Sequence, residues 1–389
     1  MKAKLLLDYY FGGLLHVLLK PPTFILGRIL RRDHDLNRCT SITVIKMLGG
    51  GSLVVAYPTF RSLRESGRIG ALRLVTTPAI RPFAEILGVF DEILVIRDGS
   101  PFTIVFDTLH AIIRLFRCEA IVDLEMNSRL TTVLSVLTCA QNRIGFYMNT
   151  SFWRRNLSTH LLFCNISNGV YYAYDRIATM FGATPADMAD CRAAFRAFVE
   201  APAPPPGDGP LRVAMATRCS ELSLERMLRD EEWVRILAQR FPEWSASGRS
   251  VEVHLLGGPS DRAPVENLRQ LLRAALPQLE VVNHAGTASL GDSVAVLSRS
   301  HLAFCIDSAL LHFSRLLGVP TISYWGPSEP RILMRPSPCV QDEVHYVKLP
   351  CSPCVHMSDR VPCGGDNICM RLAVNPDAPV DRNPLWLVQ

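Results

Sequence analysis

The stretch Ala303-Phe304-Cys305-Ile306-Asp307-Ser308-Ala309-Leu310-Leu311-His312 sets a carboxylate, a hydroxyl and an imidazole where a short apolar strand turns into a helix. The first N–H groups of such a helix have no partner inside it. They carry roughly half a positive charge and attract anions. His312, one turn in, adds a cationic or hydrogen-bonding contact. A second strand, Thr321 to Tyr324, ends in a loop with Gly326-Pro327. This arrangement suits a diphosphate.

Other residues with chemistry cluster at strand ends. Asp123-Leu124-Glu125 closes an apolar strand, and alternation points both carboxylates to one side. Asn127, Ser128 and Arg129 then open a helix, where a carboxylate could instead serve as a cap. The run Gly49 to Gly51 with Ser52 is either a substrate contact or a tight strand-to-helix turn. Leu255-Leu256-Gly257-Gly258-Pro259 is a second strand-end glycine turn. Near the carboxyl end the cysteines are spaced Cys351-x2-Cys354-x8-Cys363-x5-Cys369, with His356 between them. That spacing fits a closed tetrahedral zinc site; two disulfides or four free thiols are the alternatives.

These motifs resemble glycosyltransferase family 9, the heptosyltransferases of lipopolysaccharide synthesis and their relatives. Asp307, Ser308, His312, Gly318, Pro320, Gly326 and Pro327 match its donor-site pattern, and Ala309 stands where the family usually has Gly. The resemblance implies a metal-independent transferase that needs no cofactor for catalysis. It implies donor contacts at Arg226, Gly257, Gly258, Asp307, Ser308, His312, Gly326 and Pro327. It implies acceptor contacts at Gly51, Ser52 and Arg129. Relatives carry Gly-Asp at Gly51-Ser52, with the Asp as base. Ser has no useful basicity unaided. Glu125 is therefore the first choice for the base and Asp123 the second, with Ser52 as the inherited position. Relatives also carry Lys/Arg-Arg-Trp-Pro near Arg226, and the Trp-Pro pair is missing here. An Arg at that position can grip a diphosphate with two parallel hydrogen bonds. Cys351-Ser352-Pro353-Cys354 and Cys369-Met370 match the family too, without implying a catalytic metal.

The elements that must position these groups alternate between strand and helix. Expected strands are 41–45, 72–76, 92–96, 119–124 and 142–146. Expected helices are 53–65, 80–87, 102–117 and 128–137. A proline-rich stretch, Ala201 to Pro210, reads as a semi-rigid linker. Beyond it the strands are 211–215, 251–256, 279–282, 302–305 and 321–324. The helices there are 230–240, 265–275, 289–298 and 310–317. Repeated βα units of this length imply parallel sheets covered on both faces. The expected fold is α/β of the GT-B kind, with two Rossmann-like βαβ domains facing a central cleft. Its parts are an amphipathic extension (1–38), an acceptor domain (39–200), the linker (201–210) and a nucleotide-sugar domain with the cysteine-rich segment (211–389).

Composition narrows the partners. A 389-residue chain with 48% apolar and 20% charged residues supports two globular domains. Its net charge is +5 and forms no single basic stripe, which argues against nucleic acid. Most of the 12 cysteines stand singly in apolar contexts, as in a reducing cytoplasm. The run Leu5 to Leu19 contains Asp8 and His16 and falls short of the roughly twenty residues a bilayer span needs. Pro21-Pro22 and the basic residues Arg28, Arg31 and Arg32 follow. Two short amphipathic helices on an anionic membrane surface fit this pattern; packing on the protein's own surface is the alternative.

The sequence therefore reads as a cytoplasmic inverting sugar transferase, peripheral to the inner face of the cytoplasmic membrane. Its partners would be a nucleotide-diphosphate sugar and a saccharide or lipid-linked acceptor. Two other readings share the fold: a catalytically inactive carbohydrate-binding or assembly protein, and a nucleotide-sugar epimerase.

Overall fold

The computed structural model describes residues 6–29, 36–203, 207, 209–219, 223–355, 357–358 and 361–378. Arg31, Arg32, Pro204 to Pro206, Asp208, Ser220 to Leu222 and His356 lie outside that set. The chain divides into two compact units, residues 1–187 and 188–389.

The first unit is built on six parallel strands: β1 (Ser41–Ile45), β2 (Ala71–Thr76), β3 (Glu92–Val95), β4 (Ala120–Asp123), β5 (Asn142–Tyr147) and β6 (His160–Phe163), in the order β3-β2-β1-β4-β5-β6. β1 and β4 are buried almost throughout, as central parallel strands covered by helices must be. Ile45, Val75, Ile121 and Leu134 form part of their core. Order reverses between β1 and β4, so their carboxyl ends frame this sheet's switch point.

The second unit repeats the plan. Its strands are β7 (Leu211–Ala216), β8 (Val251–Leu256), β9 (Glu280–Asn283), β10 (Leu302–Ile306), β11 (Thr321–Trp325) and β12 (Asp342–Tyr346), in the order β12-β11-β10-β7-β8-β9. Here the switch point lies between β7 and β10. Trp233 and Leu237 of the Asp230–Ala246 helix pack on Val213, Met215 and Phe304. The Met188–Phe198 helix precedes the proline-rich stretch yet belongs to this unit. It is held by Phe195 stacked on Phe313 and by Arg196 donating to the Leu317 carbonyl at 2.8 Å.

The ten strands and eight helices expected from the sequence are present, shifted by a few residues at their ends, and the helix expected over 53–65 divides into Gly50–Val55 and Tyr57–Glu65. β6, β12 and the Val170–Met180 and Met188–Phe198 helices were not expected. The amino terminus differs more. A π-helical turn, Asp8–Gly12, runs into one helix, Gly13–Ile29, and Pro21-Pro22 sit inside it. Each Pro removes the bond to the carbonyl four residues back. Those carbonyls belong to Val17 and Leu18, both exposed, where water can take the lost place.

This helix docks through one face. Asp8 accepts from the backbone N–H groups of Arg129 and Leu130, both at 2.9 Å, and from the Ser128 hydroxyl at 2.7 Å. It thereby caps the Arg129–Leu137 helix from 120 positions away in the chain. One turn on, Gly12 allows contact, since a Cβ there would meet the Arg129 Cβ at 2.7 Å. His16, a further turn on, bonds the Arg129 carbonyl at 3.0 Å. Asp8→Ala should lower unfolding free energy by about 1 kcal/mol, the usual worth of a helix cap. Urea unfolding checks this, and an unchanged midpoint would show that the docking does not depend on the cap.

Candidate active site

At the first switch point, Glu125 follows β4 by two residues and closes on the end of β1. Its Oε1 accepts from the N–H groups of Met47 at 2.7 Å and Leu48 at 2.9 Å, and lies 3.2 Å from Lys46 Nζ. These bonds hold the turn that ends in Gly49, whose φ of 73° falls in the left-handed region. The Gly50–Val55 helix then starts earlier than expected and takes in both Gly51 and Ser52. The Ser52 hydroxyl bonds buried Tyr174, whose phenol is pushed above its usual range by burial first and by the Glu125 charge second.

Asp123 and Arg129 serve the framework. The Asp123 carboxylate accepts from the Glu125 N–H at 3.0 Å, Thr131 at 2.9 Å, Thr132 at 3.2 Å and Arg154 at 3.1 Å. Burial pushes this carboxyl up while Arg154 pulls it down. Protonating it would leave the Arg154 charge buried without a counterion, so the pair stays ionised. With its oxygens so occupied, Asp123 is not placed to take a substrate proton. Arg129, expected at the acceptor, donates to the Tyr9 carbonyl at 2.8 Å and lies over the Tyr9 ring, 4.4 Å from its centre. The amino-terminal helix thus claims its guanidinium.

The second switch point brings together Arg226, Asp307 and Ser308 from the expected donor residues. Asp307 follows β10, and Ser308 is the N-cap of the Ala309–Leu317 helix. Arg226, in the short turn Leu224–Arg226, donates to the Asp307 carbonyl at 2.9 Å and lies 3.2 Å from its Oδ2. Its Nε also reaches the Ser223 carbonyl at 3.2 Å. Arg226 and Asp307 are thus fixed as a pair, the loop of one bound to the strand end of the other. Thr217 Oγ1, Ser308 Oγ and Ser328 Oγ are buried without a hydrogen-bond partner among the described residues. They stand just beyond β7, β10 and β11, three neighbouring strands. Sequence reasoning found Ser308 but missed Thr217 and Ser328. The legible signal was a hydroxyl directly after an apolar strand and another directly after Gly326-Pro327.

The remaining expected residues divide. Burial pushes His312 from 6.5 down to about 4, so it is a neutral imidazole near pH 7 and not a cationic contact. Gly257 is required by packing, because a Cβ there would meet the Asp261 Cβ at 2.8 Å. The Gly258 N–H donates to Asp261 at 2.8 Å. Gly326 lies against the Ile368–Val374 helix, where a Cβ would meet Cys369 Sγ at 2.5 Å. The Pro327 carbonyl accepts from the Val355 N–H at 3.2 Å. That loop therefore anchors the cysteine-rich segment.

Cys351, Cys354, Cys363 and Cys369 line one cavity of about 10 Å³ together with Glu225 and Pro327. Burial and the neighbouring thiols push Cys354 up to about 11 and Cys369 up to about 12. All twelve cysteines are free thiols. Among the described residues no three His, Cys, Asp or Glu side chains stand as a ligand set for a metal ion. The sulfurs are gathered without the geometry of a zinc cage, and no step of the chemistry below passes through one.

Two measurements check this description. Arg154→Leu leaves a buried carboxylate uncompensated and should cost about 3–5 kcal/mol of stability; a loss below about 1 kcal/mol would remove the pair as the keystone of the first site. For His312 the folded value lies below the unfolded one, so the unfolded chain binds more protons between them. Stability should fall as pH drops from 6.5 towards about 4, by at most about 3 kcal/mol from this residue. In His312→Gln the melting temperature should fall less over that window; parallel curves for variant and parent would contradict a neutral buried His312.

Residues 245–364 match the family described as Glycosyltransferase family 9 (heptosyltransferase). No curated protein sequence matches the chain. Among solved structures, a family 9 glycosyl transferase from Veillonella parvula aligns with TM-score 0.59 and 16% identity, over 80% of this chain and 87% of its own. The E. coli ADP-heptose lipopolysaccharide heptosyltransferase II aligns with TM-score 0.58 and 14% identity, over 79% and 91%. E. coli heptosyltransferase WaaC, solved with ADP, aligns with TM-score 0.59 and 14% identity, over 78% and 93%. The likeness to these structures is one of fold. The chain therefore has the two-sheet α/β fold, GT-B, of the solved heptosyltransferases, and its residues 245–364 are similar to glycosyltransferase family 9.

Proposed function

We propose that the protein is an inverting glycosyltransferase. It would move a heptose or related sugar from a nucleotide-diphosphate donor to a saccharide or lipid-linked acceptor of a bacterial surface glycan such as lipopolysaccharide. The observation that carries this is the row of unpartnered hydroxyls, Thr217, Ser308 and Ser328, at the second switch point. Buried polar groups normally have partners. Three that lack them, beside a helix N-terminus and Arg226, form a donor set for the oxygens of a diphosphate.

In this reading the diphosphate is the leaving group. As the bond to the anomeric carbon breaks, negative charge builds on its oxygens. Hydroxyls, helix N–H groups and Arg226 fixed beforehand stabilise that charge with little reorganisation. Asp307, an acceptor of hydrogen bonds, suits a hydroxyl of the donor rather than its phosphates. The acceptor hydroxyl must lose a proton as it attacks, which requires a positioned base. We assign that part to Glu125 through Oε2, since Oε1 is held by Met47, Leu48 and Lys46. Inversion follows from a single displacement, with nucleophile and leaving group on opposite faces of the sugar.

The bonds at Oε1 also favour a second reading, a sugar-binding protein of the same fold without turnover. They make Glu125 a structural part of the turn after β1. Release of nucleoside diphosphate from a panel of nucleotide sugars separates the two readings. Release that depends on an acceptor supports the transferase; donor binding without release supports the binder. In an active protein, Glu125→Gln should cut turnover about 10²–10⁴-fold, the range for a general base. Donor affinity should be nearly unchanged, and the melting temperature shows whether the Lys46 turn has survived. Arg226→Ala should weaken donor binding by about 1–3 kcal/mol. Ser52→Ala should do much less than either. Turnover surviving in Glu125→Gln but lost in Ser52→Ala would reverse the assignment.

A further inference from the structure

The first unit exposes a second apolar face that the proposed reaction does not use. In the Pro101–Arg114 helix and its end, Phe102, Val105, Phe106, Leu109, Ile113 and Phe116 recur at helical spacing. They point to solvent: Phe102 is 87% exposed, Phe106 67% and Ile113 75%. The opposite face is the one that packs, with Asp107, Ala111 and Leu115 buried. Scattered exposed apolar residues are ordinary, but a continuous aromatic stripe along a helix is not.

Its position relates it to the amino-terminal helix. Both helices pack against the Arg129–Leu137 helix. Asp8, Gly12 and His16 turn the amino-terminal helix inward, which leaves Leu7, Tyr10, Leu14, Val17 and Leu18 each more than half exposed. The two apolar faces are thus carried by neighbours of one helix.

The charges agree in sign. Among the described residues each helical segment holds one carboxylate, and both are engaged: Asp8 caps the Arg129–Leu137 helix, and Asp107 pairs with Arg97 at 2.8 Å. Arg117 and Arg114, the latter ion-paired with Glu92, are exposed at the end of the stripe; Lys20 is half-buried and Arg28 also lies in the amino-terminal helix, and the sequence adds Arg31 and Arg32 just beyond it, followed by Asp33 and Asp35. No helix among the described residues is long and apolar enough to cross a membrane. Apolar faces with basic flanks that cannot span a bilayer are suited to its surface.

We propose that the Pro101–Arg114 stripe and the amino-terminal helix together seat the first unit on an anionic lipid surface, as two anchors that both pack on the Arg129–Leu137 helix. Two anchors fix orientation as well as attachment. This rests on the reading of a lipid-linked acceptor, which such seating would bring to the first switch point.

The test uses the full chain with vesicles of phosphatidylcholine alone and of phosphatidylcholine with phosphatidylglycerol. The parent should sediment with the anionic vesicles, and less so as salt is raised. Phe106→Glu/Ile113→Glu and, separately, Leu14→Glu/Val17→Glu should each lower partition about tenfold or more, because each removes buried apolar area and adds repulsion. Melting temperatures should stay at the parent value, since these side chains are exposed. Nucleoside diphosphate release with a soluble acceptor should also be unchanged; its absence in the parent would count against the transferase reading while the vesicle measurement still decides this one. Equal vesicle partition by parent and Phe106→Glu/Ile113→Glu overturns the proposal. So does a parent dimer in sedimentation that this variant abolishes without any change at the vesicles, which would assign the stripe to a second copy of the chain.

Discussion

The Arg154 guanidinium is entirely removed from water, and the first unit is organised around keeping it paired. Its counterion, Asp123, ends β4. The same guanidinium donates to the Phe146 carbonyl at 3.0 Å, to the Glu125 carbonyl, and to Thr132 Oγ1 at 3.1 Å. One charge thereby joins β4, β5, the start of the Arg129–Leu137 helix and the turn that carries Glu125. A buried charge tolerates no slack, because each missing bond costs more in a low dielectric than it would in water. Glu125 inherits that rigidity through its own backbone. The Arg129–Leu137 helix, whose entry this pair helps to fix, is also the surface on which the amino-terminal helix docks. Site geometry and the docked helix therefore depend on a common framework.

That dependence explains which parts were legible in the sequence. Strands such as Ile42 to Ile45 and Ala303 to Ile306 announce themselves by β-branched or apolar runs, and the turns after them by polar residues. Those two signals suffice to place Asp307, Ser308 and Glu125 at sheet ends. β6 did not announce itself: His160-Leu161-Leu162-Phe163 is an edge strand, and only Leu162 of the four is buried. β12 is likewise an edge, reading Asp342-Glu343-Val344-His345-Tyr346. An edge strand has one neighbour and little burial, so its composition carries little of its conformation.

Partnerships across long separations were illegible for a different reason. Nothing local in Asp8 marks it as the cap of a helix at residue 129. Inside an apolar run it reads as a flaw in a hydrophobic segment. Nothing local in Arg154 marks it as the partner of Asp123, because the polar loop around it would suit a solvated charge equally well. Motif reading identifies residue types and their neighbours along the chain. A carboxylate's part is decided by which donors reach it in space: four donor groups make Asp123 a framework residue, while the bonds to Glu125 gather on one oxygen. The two carboxylates lie two residues apart and read alike in sequence, and only the fold tells them apart.

In the proposed reading the second switch point would hold a diphosphate mostly through neutral donors. His312, read from the sequence as a cationic or hydrogen-bonding contact, is buried and pushed down to about 4, so it brings shape and dipole rather than charge. Arg226 is the fixed charge, and Asp307 holds it at the strand end. Placing further permanent cations at a buried strand end would require counterions to offset their desolvation. Such counterions would oppose the negative charge that builds on a departing diphosphate. Hydroxyls and helix N–H groups avoid that conflict. Unpartnered, they cost less than a bare charge, and in the proposed complex they would donate to the diphosphate while the Asp307 carboxylate stays held by Arg226. The hydroxyls of Thr217, Ser308 and Ser328 are the form this takes here, and it accounts for a buried site that combines one paired arginine with several unsatisfied neutral donors.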